Sequence, residues 1–217
     1  APGHLDVPES TRVVLPADLG VEDLERLAST LEPDPLAFAV LAPILRRLLP
    51  AGEPVLALAP TLLVTGDLSE IAGALQDDEV VLVPHLTGLA ADSQNRLLKR
   101  HGTFHRGVVA MRAGDAADAV RAHWPQASLR PDVGTEGPVA GEKAMTAWLD
   151  ALPARAAGVG VHRRHGFLVD PGNLATDLQR TAEGVLTLDG DPVALIDFDA
   201  LDPVSPHRLA LAEEAPG

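Results

Sequence analysis

Short apolar runs of strand length alternate with longer segments of helical periodicity along most of the chain, and this alternation restricts the fold more than any other feature. The clearest run is Glu79-Val-Val-Leu-Val-Pro84, a continuous apolar stretch that reads as a strand buried on both faces. Ahead of it, Asp67-Leu-Ser-Glu70 has the spacing of a capping box and predicts a helix to about residue 76. Further upstream, Pro54-Val-Leu-Ala-Leu-Ala-Pro-Thr-Leu-Leu-Val64 is two apolar runs split at Pro60. It reads as a strand that turns and opens a loop at its carboxyl end, where ligands of open α/β sheets sit.

The remaining elements follow the same logic. A strand at 12–15 precedes a helix through Leu24, Leu27 and Leu31, and a second helix, kinked by Pro43, spans 35–49. A polar helix at 91–100, a strand at 107–112, a helix at 115–124 and a Pro- and Gly-rich loop at 125–138 come next. A helix at 139–152, through Met145, Trp148 and Leu152, leads to short strands at 159–162, 167–169, 185–188 and 193–196. Asp189-Gly190 predicts a hairpin turn between the last two. The expected fold is α/β: a mixed, mainly parallel sheet flanked by helices, in one domain over 1–217.

Composition narrows the function classes. With 217 residues, 46% of them hydrophobic, the chain is long enough for one α/β core. Its 31 acidic against 17 basic side chains give a net charge of −14, which repels phosphate backbones and anionic membranes and argues against a nucleic-acid partner. No run reaches the roughly 18 apolar residues of a membrane span. Residues 1–11 lack the basic and apolar regions of a signal peptide, so a cytoplasmic setting is expected. The absence of cysteine excludes disulfides, thiolate metal sites and thiol nucleophiles. Aromatic residues make up only 3%, a poor supply of the flat apolar platforms that sugar sites use.

Five segments, in order, resemble a family of bacterial glycosyltransferases of the GT-A fold. Val55 to Val64 matches the family's V-L-Y-L-D-P-D-I-L-V, which carries the metal-binding D-x-D. Val81-Leu-Val-Pro-His-Leu-Thr87 matches V-L-T-P-H-L-T, and Gly102-Thr-Phe-His-Arg-Gly-Val-Val-Ala-Met111 matches G-V-F-N-L-G-F-I-A-V. Asp170-Pro-Gly-Asn-Leu-Ala175 matches D-P-G-Y-N-V, and Ala194-Leu-Ile-Asp-Phe-Asp-Ala-Leu-Asp-Pro203 matches R-F-F-H-F-S-G-F-D-P. The likeness covers roughly residues 5–210, and the ordered set is far more specific than any one motif. It implies a GT-A-like, Rossmann-like sheet.

The departures from the family pattern fall on its polar positions. Ala59 and Thr61 stand where the D-x-D would place two carboxylates on a divalent cation. Asp197 replaces the histidine that completes the metal shell in related retaining enzymes, His105 replaces an asparagine, and Ala42 replaces a lysine. The family's D-Q-x-W pair aligns loosely with Gly141 and Glu142. Pro43, Pro60, Pro84, Gly107, Pro171, Gly172 and Pro203 are retained. The family's first strand, helix and strand, which cradle the nucleotide base, have no counterpart, so the resemblance implies an open sheet edge and a homodimer or an active glycosyltransferase subunit as partner.

The functional expectation is a non-catalytic glycosyltransferase relative that binds a sugar, a nucleotide or a partner subunit, with no cofactor. The alternative is an active enzyme that uses manganese or magnesium with a nucleotide sugar, Asp197, Asp199 or Glu142 as carboxylates and Arg163 or Arg164 on the diphosphate. A structural or assembly domain without a small ligand is the third reading. His85, His105, Gly107, Arg163 and Arg164 are candidate ligand contacts, and Asp197 is the one candidate metal ligand. His85, His105, His162 and His165 lack the i, i+4 spacing of a metallohydrolase and read as structural. Asp197, Asp199 and Asp202 read as a solvated acidic loop, and Gly158, Gly160 and Gly166 as turn residues rather than a phosphate loop.

Overall fold

A computed structural model of the chain describes residues 11, 14, 18, 24–30, 33–49, 52–88, 98–99, 101–128, 142–170, 173 and 178–199. Its central strand is β3 (Val80–Pro84), buried along its whole length. That burial explains the continuous apolar run, because each face of the strand meets a separate core. Val80 and Leu82 point into one core with Val109 and Met111, while Val81 and Val83 enter the other with Val108 and Ala110. Each such aliphatic side chain contributes roughly 1.5–3 kcal/mol by leaving water.

Four strands form the main sheet in the order β1 (Val55–Leu58), β4 (Phe104–Met111), β3 and β5 (Val159–Val161). Its first face is covered by α2 (Pro33–Leu48), α4 (Asp115–Ser128) and α5 (Glu142–Arg155), which supply Leu45, Val120, Trp124 and Leu149. Trp124 is fully buried and meets Trp148 edge to face at 6.0 Å. A short α1 (Leu24–Thr30) precedes α2.

The second face carries α3 (Ser69–Asp77), through Ile71 and Leu75, and a three-stranded sheet ordered β2 (Leu62–Val64), β10 (Leu195–Asp197) and β6 (Leu168–Val169). A third sheet, β7 (Leu178–Arg180), β8 (Leu186–Leu188) and β9 (Asp191–Pro192), is an antiparallel meander.

The mainly parallel sheet expected from the sequence is corrected here: the sheets are mixed. Strand β4 is antiparallel to both β1 and β3, and among the described residues only β3/β5 and β6/β10 are parallel. Pro84 pairs with Phe104, so the connection between β3 and β4 leaves and re-enters at the same end of the sheet, which makes antiparallel neighbours.

Other expectations shift locally. Asp189 and Gly190 do form the hairpin turn, with φ of 52° and 92°, but it joins β8 to β9. The apolar stretch after it leaves this meander and inserts as β10 beside β2 and β6. Asp67, one residue ahead of the N-cap Leu68, accepts from the Ser69 N–H at 2.9 Å, whereas Glu70, instead of closing a capping box, reaches Arg164. Helix α4 runs past Trp124 to Ser128, into the expected loop. Gly158 and Gly166 take positive φ at turns, while Gly160 lies within β5. The strand expected at 12–15 lies largely outside the described residues, as does most of the helix expected at 91–100, where 98 and 99 are helical.

Candidate functional site

The break at Pro60 moves the chain from one sheet to another. The Ala59 N–H donates to the Gly107 carbonyl at 2.8 Å as β1 ends, and the Leu62 N–H donates back to the Ala59 carbonyl as β2 begins. Residues 59–61 thus form the joint between two sheets, and two distant segments close on it. From β4 comes His105, and from the end of β10 comes Asp197.

His105 Nε2 lies 2.8 Å from Asp197 Oδ2, both side chains being buried. The tautomer follows from the other ring nitrogen. Nδ1 accepts the Gly107 N–H at 3.2 Å, so the proton sits on Nε2 and is donated to the carboxylate. Asp197 Oδ1 accepts the Asp199 N–H at 3.0 Å, and the Thr61 hydroxyl donates to the same carboxylate. Burial pushes the Asp197 carboxyl up. The His105 hydrogen bond and ring, the Thr61 hydroxyl and the Asp199 N–H outweigh it, and hold the group below the ordinary carboxylate value. Gly107 has no room for a side chain, since a Cβ there would stand 2.7 Å from the Ala59 methyl and 2.9 Å from the His105 ring.

The divalent cation that the resemblance implies does not fit these residues. The Ala59 side chain has no ligand atom, and among the described residues Asp197 is the only carboxylate hydrogen-bonded in the joint, with both oxygens already accepting. His105 would need a bare lone pair at Nε2 to bind metal, and the Gly107 N–H at Nδ1 favours the opposite tautomer. Among the described residues no group of three His, Asp or Glu side chains is arranged to hold a metal ion.

A second centre starts at the carboxyl end of β3. The His85 N–H donates to the Thr103 carbonyl, and His85 Nδ1 meets Asp170 Oδ2 at 2.5 Å, with Asp170 only 2% exposed. Asp170 is held by Asn173. Its N–H donates to Asn173 Oδ1, the Asn173 N–H donates to Asp170 Oδ1, and the Asn173 amide donates to the carbonyls of His85 and Leu168. The two centres adjoin, because the His85 and His105 ring centroids are 5.0 Å apart.

Beside His85 opens a cavity of about 290 Å³ between residues 83–88 and 162–166, also lined by Leu168 and Asn173. Arg164 Nε donates to Glu70 Oε2 at 2.7 Å, and its guanidinium lies 5.3 Å from the Phe167 ring centre. His162 Nε2 is 3.3 Å from the same Glu70 oxygen but too poorly aligned for a hydrogen bond. Desolvation lowers the His162 imidazole pKa, Arg164 reinforces the effect, and Glu70 only partly opposes it. His165 bridges Thr87 and Asp189.

Of the candidates read from the sequence, His105, Gly107, Thr61, Ala59 and Asp197 converge on the joint, and His85, Arg163 and Arg164 line the cavity. Asp199 contributes its backbone N–H to Asp197. Glu142 opens α5, its side chain lying outside the described residues, as do Ala42, Gly141 and Asp202. Sequence reasoning missed Asp170 and Asn173 as site residues, although both lie in the matched Asp170-to-Ala175 segment. It also missed Glu70, which only the fold brings to Arg164. No model of a known protein family matches the chain, and no curated protein is significantly similar to it. No helix among the described residues is long and apolar enough to cross a membrane.

Proposed function

We propose that the chain is a relative of GT-A-type glycosyltransferases in which the sugar-transfer centre has become a hydrogen-bonded joint, and that it works by binding rather than by transfer. The supporting observation is the satisfied Asp197 carboxylate. In the motif order of the resemblance, Thr61, His105 and Asp197 belong to three different segments, yet all three meet at one strand break. There the hydrogen bonds from His105, Thr61 and Asp199 do for Asp197 what a cation would do for a carboxylate cluster. The ligand is a sugar, a nucleotide or an active transferase subunit.

Turnover of UDP- and GDP-sugars in saturating manganese tests this reading. The expected result is no transfer, and calorimetric titration of UDP that is the same with and without manganese. Sugar transfer that disappears in Asp197→Ala would establish the active alternative instead.

A further inference from the structure

The cavity beside His85 is lined by an unusual selection of side chains for so acidic a protein. The chain carries 31 acidic residues against 17 basic, yet among the described residues no Asp or Glu lines this cavity, and His85, His162, Arg163, Arg164 and His165 all do. The carboxylates paired with four of them, Asp170 with His85, Glu70 with His162 and Arg164, and Asp189 with His165, are absent from the lining. Arg163 is exposed and, among the described residues, has no ion-pair partner.

We propose that this cavity binds the phosphoryl group of a small phosphorylated molecule, with Arg163 as its principal charged contact and His85 as a positioned hydrogen-bonding group. Guanidinium supplies a planar fork of donors that suits a tetrahedral oxyanion. Asp170 occupies Nδ1 of His85 and fixes the ring, so Nε2 is the nitrogen left for a ligand: as the imidazolium it donates to a phosphoryl oxygen, and as the neutral ring it accepts from a P–OH. A volume of about 290 Å³ is at the small end of ligand pockets and takes a phosphoryl group with a modest appendage rather than a folded partner. The inference does not require the glycosyltransferase-like reading, since it uses neither the joint at Asp197 nor any metal.

The test is calorimetric titration of the full chain with inorganic phosphate and with pyrophosphate, metal-free, alongside backbone amide shifts. Binding of either probe is expected to weaken about tenfold in Arg163→Ala and less in Arg163→Lys, equivalent to about 1.4 kcal/mol for the alanine variant. Shifts should centre on residues 85–88 and 162–166. Tighter pyrophosphate than phosphate binding marks a diphosphate ligand, and the reverse a monoester; both support the site. No binding of either probe, binding unchanged in Arg163→Ala, or shifts centred elsewhere would overturn it. Failure of sugar transfer has no bearing on these readouts, so the two readings stand or fall separately.

Discussion

His105 donates its Nε2–H to Asp197 across 92 residues of chain, and the tautomer that permits this is set by the backbone N–H of Gly107. The pair ties β4 to β10 at the point where the chain passes between sheets. Removing the carboxylate leaves three donors, from His105, Thr61 and Asp199, facing an apolar gap. Asp197→Ala is therefore expected to lower the unfolding free energy by about 3 kcal/mol. Asp197→Asn keeps one acceptor oxygen and should cost roughly half as much. Urea denaturation measures both, and equal stability of wild type and alanine variant would contradict the structural role.

Gly107→Ala addresses the same joint through packing. The backbone there is ordinary, and the added methyl collides with Ala59 and the His105 ring. Overpacking of this kind costs about 1–3 kcal/mol. Pairing it with Ala59→Gly should return part of the loss, a coupling that a double-mutant cycle reads directly.

Gly190→Ala provides the contrasting case. Nothing lies within 4 Å of a Cβ at this position, yet φ is 92°. Its cost, about 1 kcal/mol, comes from backbone conformation alone, and no partner substitution should rescue it. Thermal denaturation of the single variant and of its pairings checks this.

Local rules recovered the elements better than their pairing. The strand at Val80 was legible because a strand buried on both faces needs an uninterrupted apolar run, and the break at Pro60 because proline cannot continue a ladder. Strand direction was not legible, since apolar periodicity is the same whichever way a strand runs. The stretch after Gly190 misled for a related reason: the turn is correct, but only tertiary packing shows that Leu195–Asp197 pairs with β2 and β6. At the site, the motif order brought the Ala59, His105 and Asp197 positions into view. The bond between Glu70 and Arg164, 94 residues apart, carries no local signal.

Two partly buried groups set opposite ends of the expected pH profile. His162 is held below its ordinary value of 6.5, so the unfolded chain takes up its proton first as pH falls. Stability from this group is full above about pH 6.5 and declines as pH drops from there through the folded value. Asp197 is held below its ordinary value of 3.8. Its contribution is full above the unfolded value, and declines as the pH falls through the lower folded one. Urea midpoints from pH 8 to pH 3 should thus show a first decline beginning near pH 6.5, shallower in His162→Gln, and a second below about pH 4, shallower in Asp197→Asn. Exposed Asp67 and Glu183, both also lowered, are common to all three proteins and cancel in the differences. A first decline of undiminished slope in His162→Gln would assign it to another histidine, and would remove the desolvated ring beside Glu70 and Arg164 as its cause.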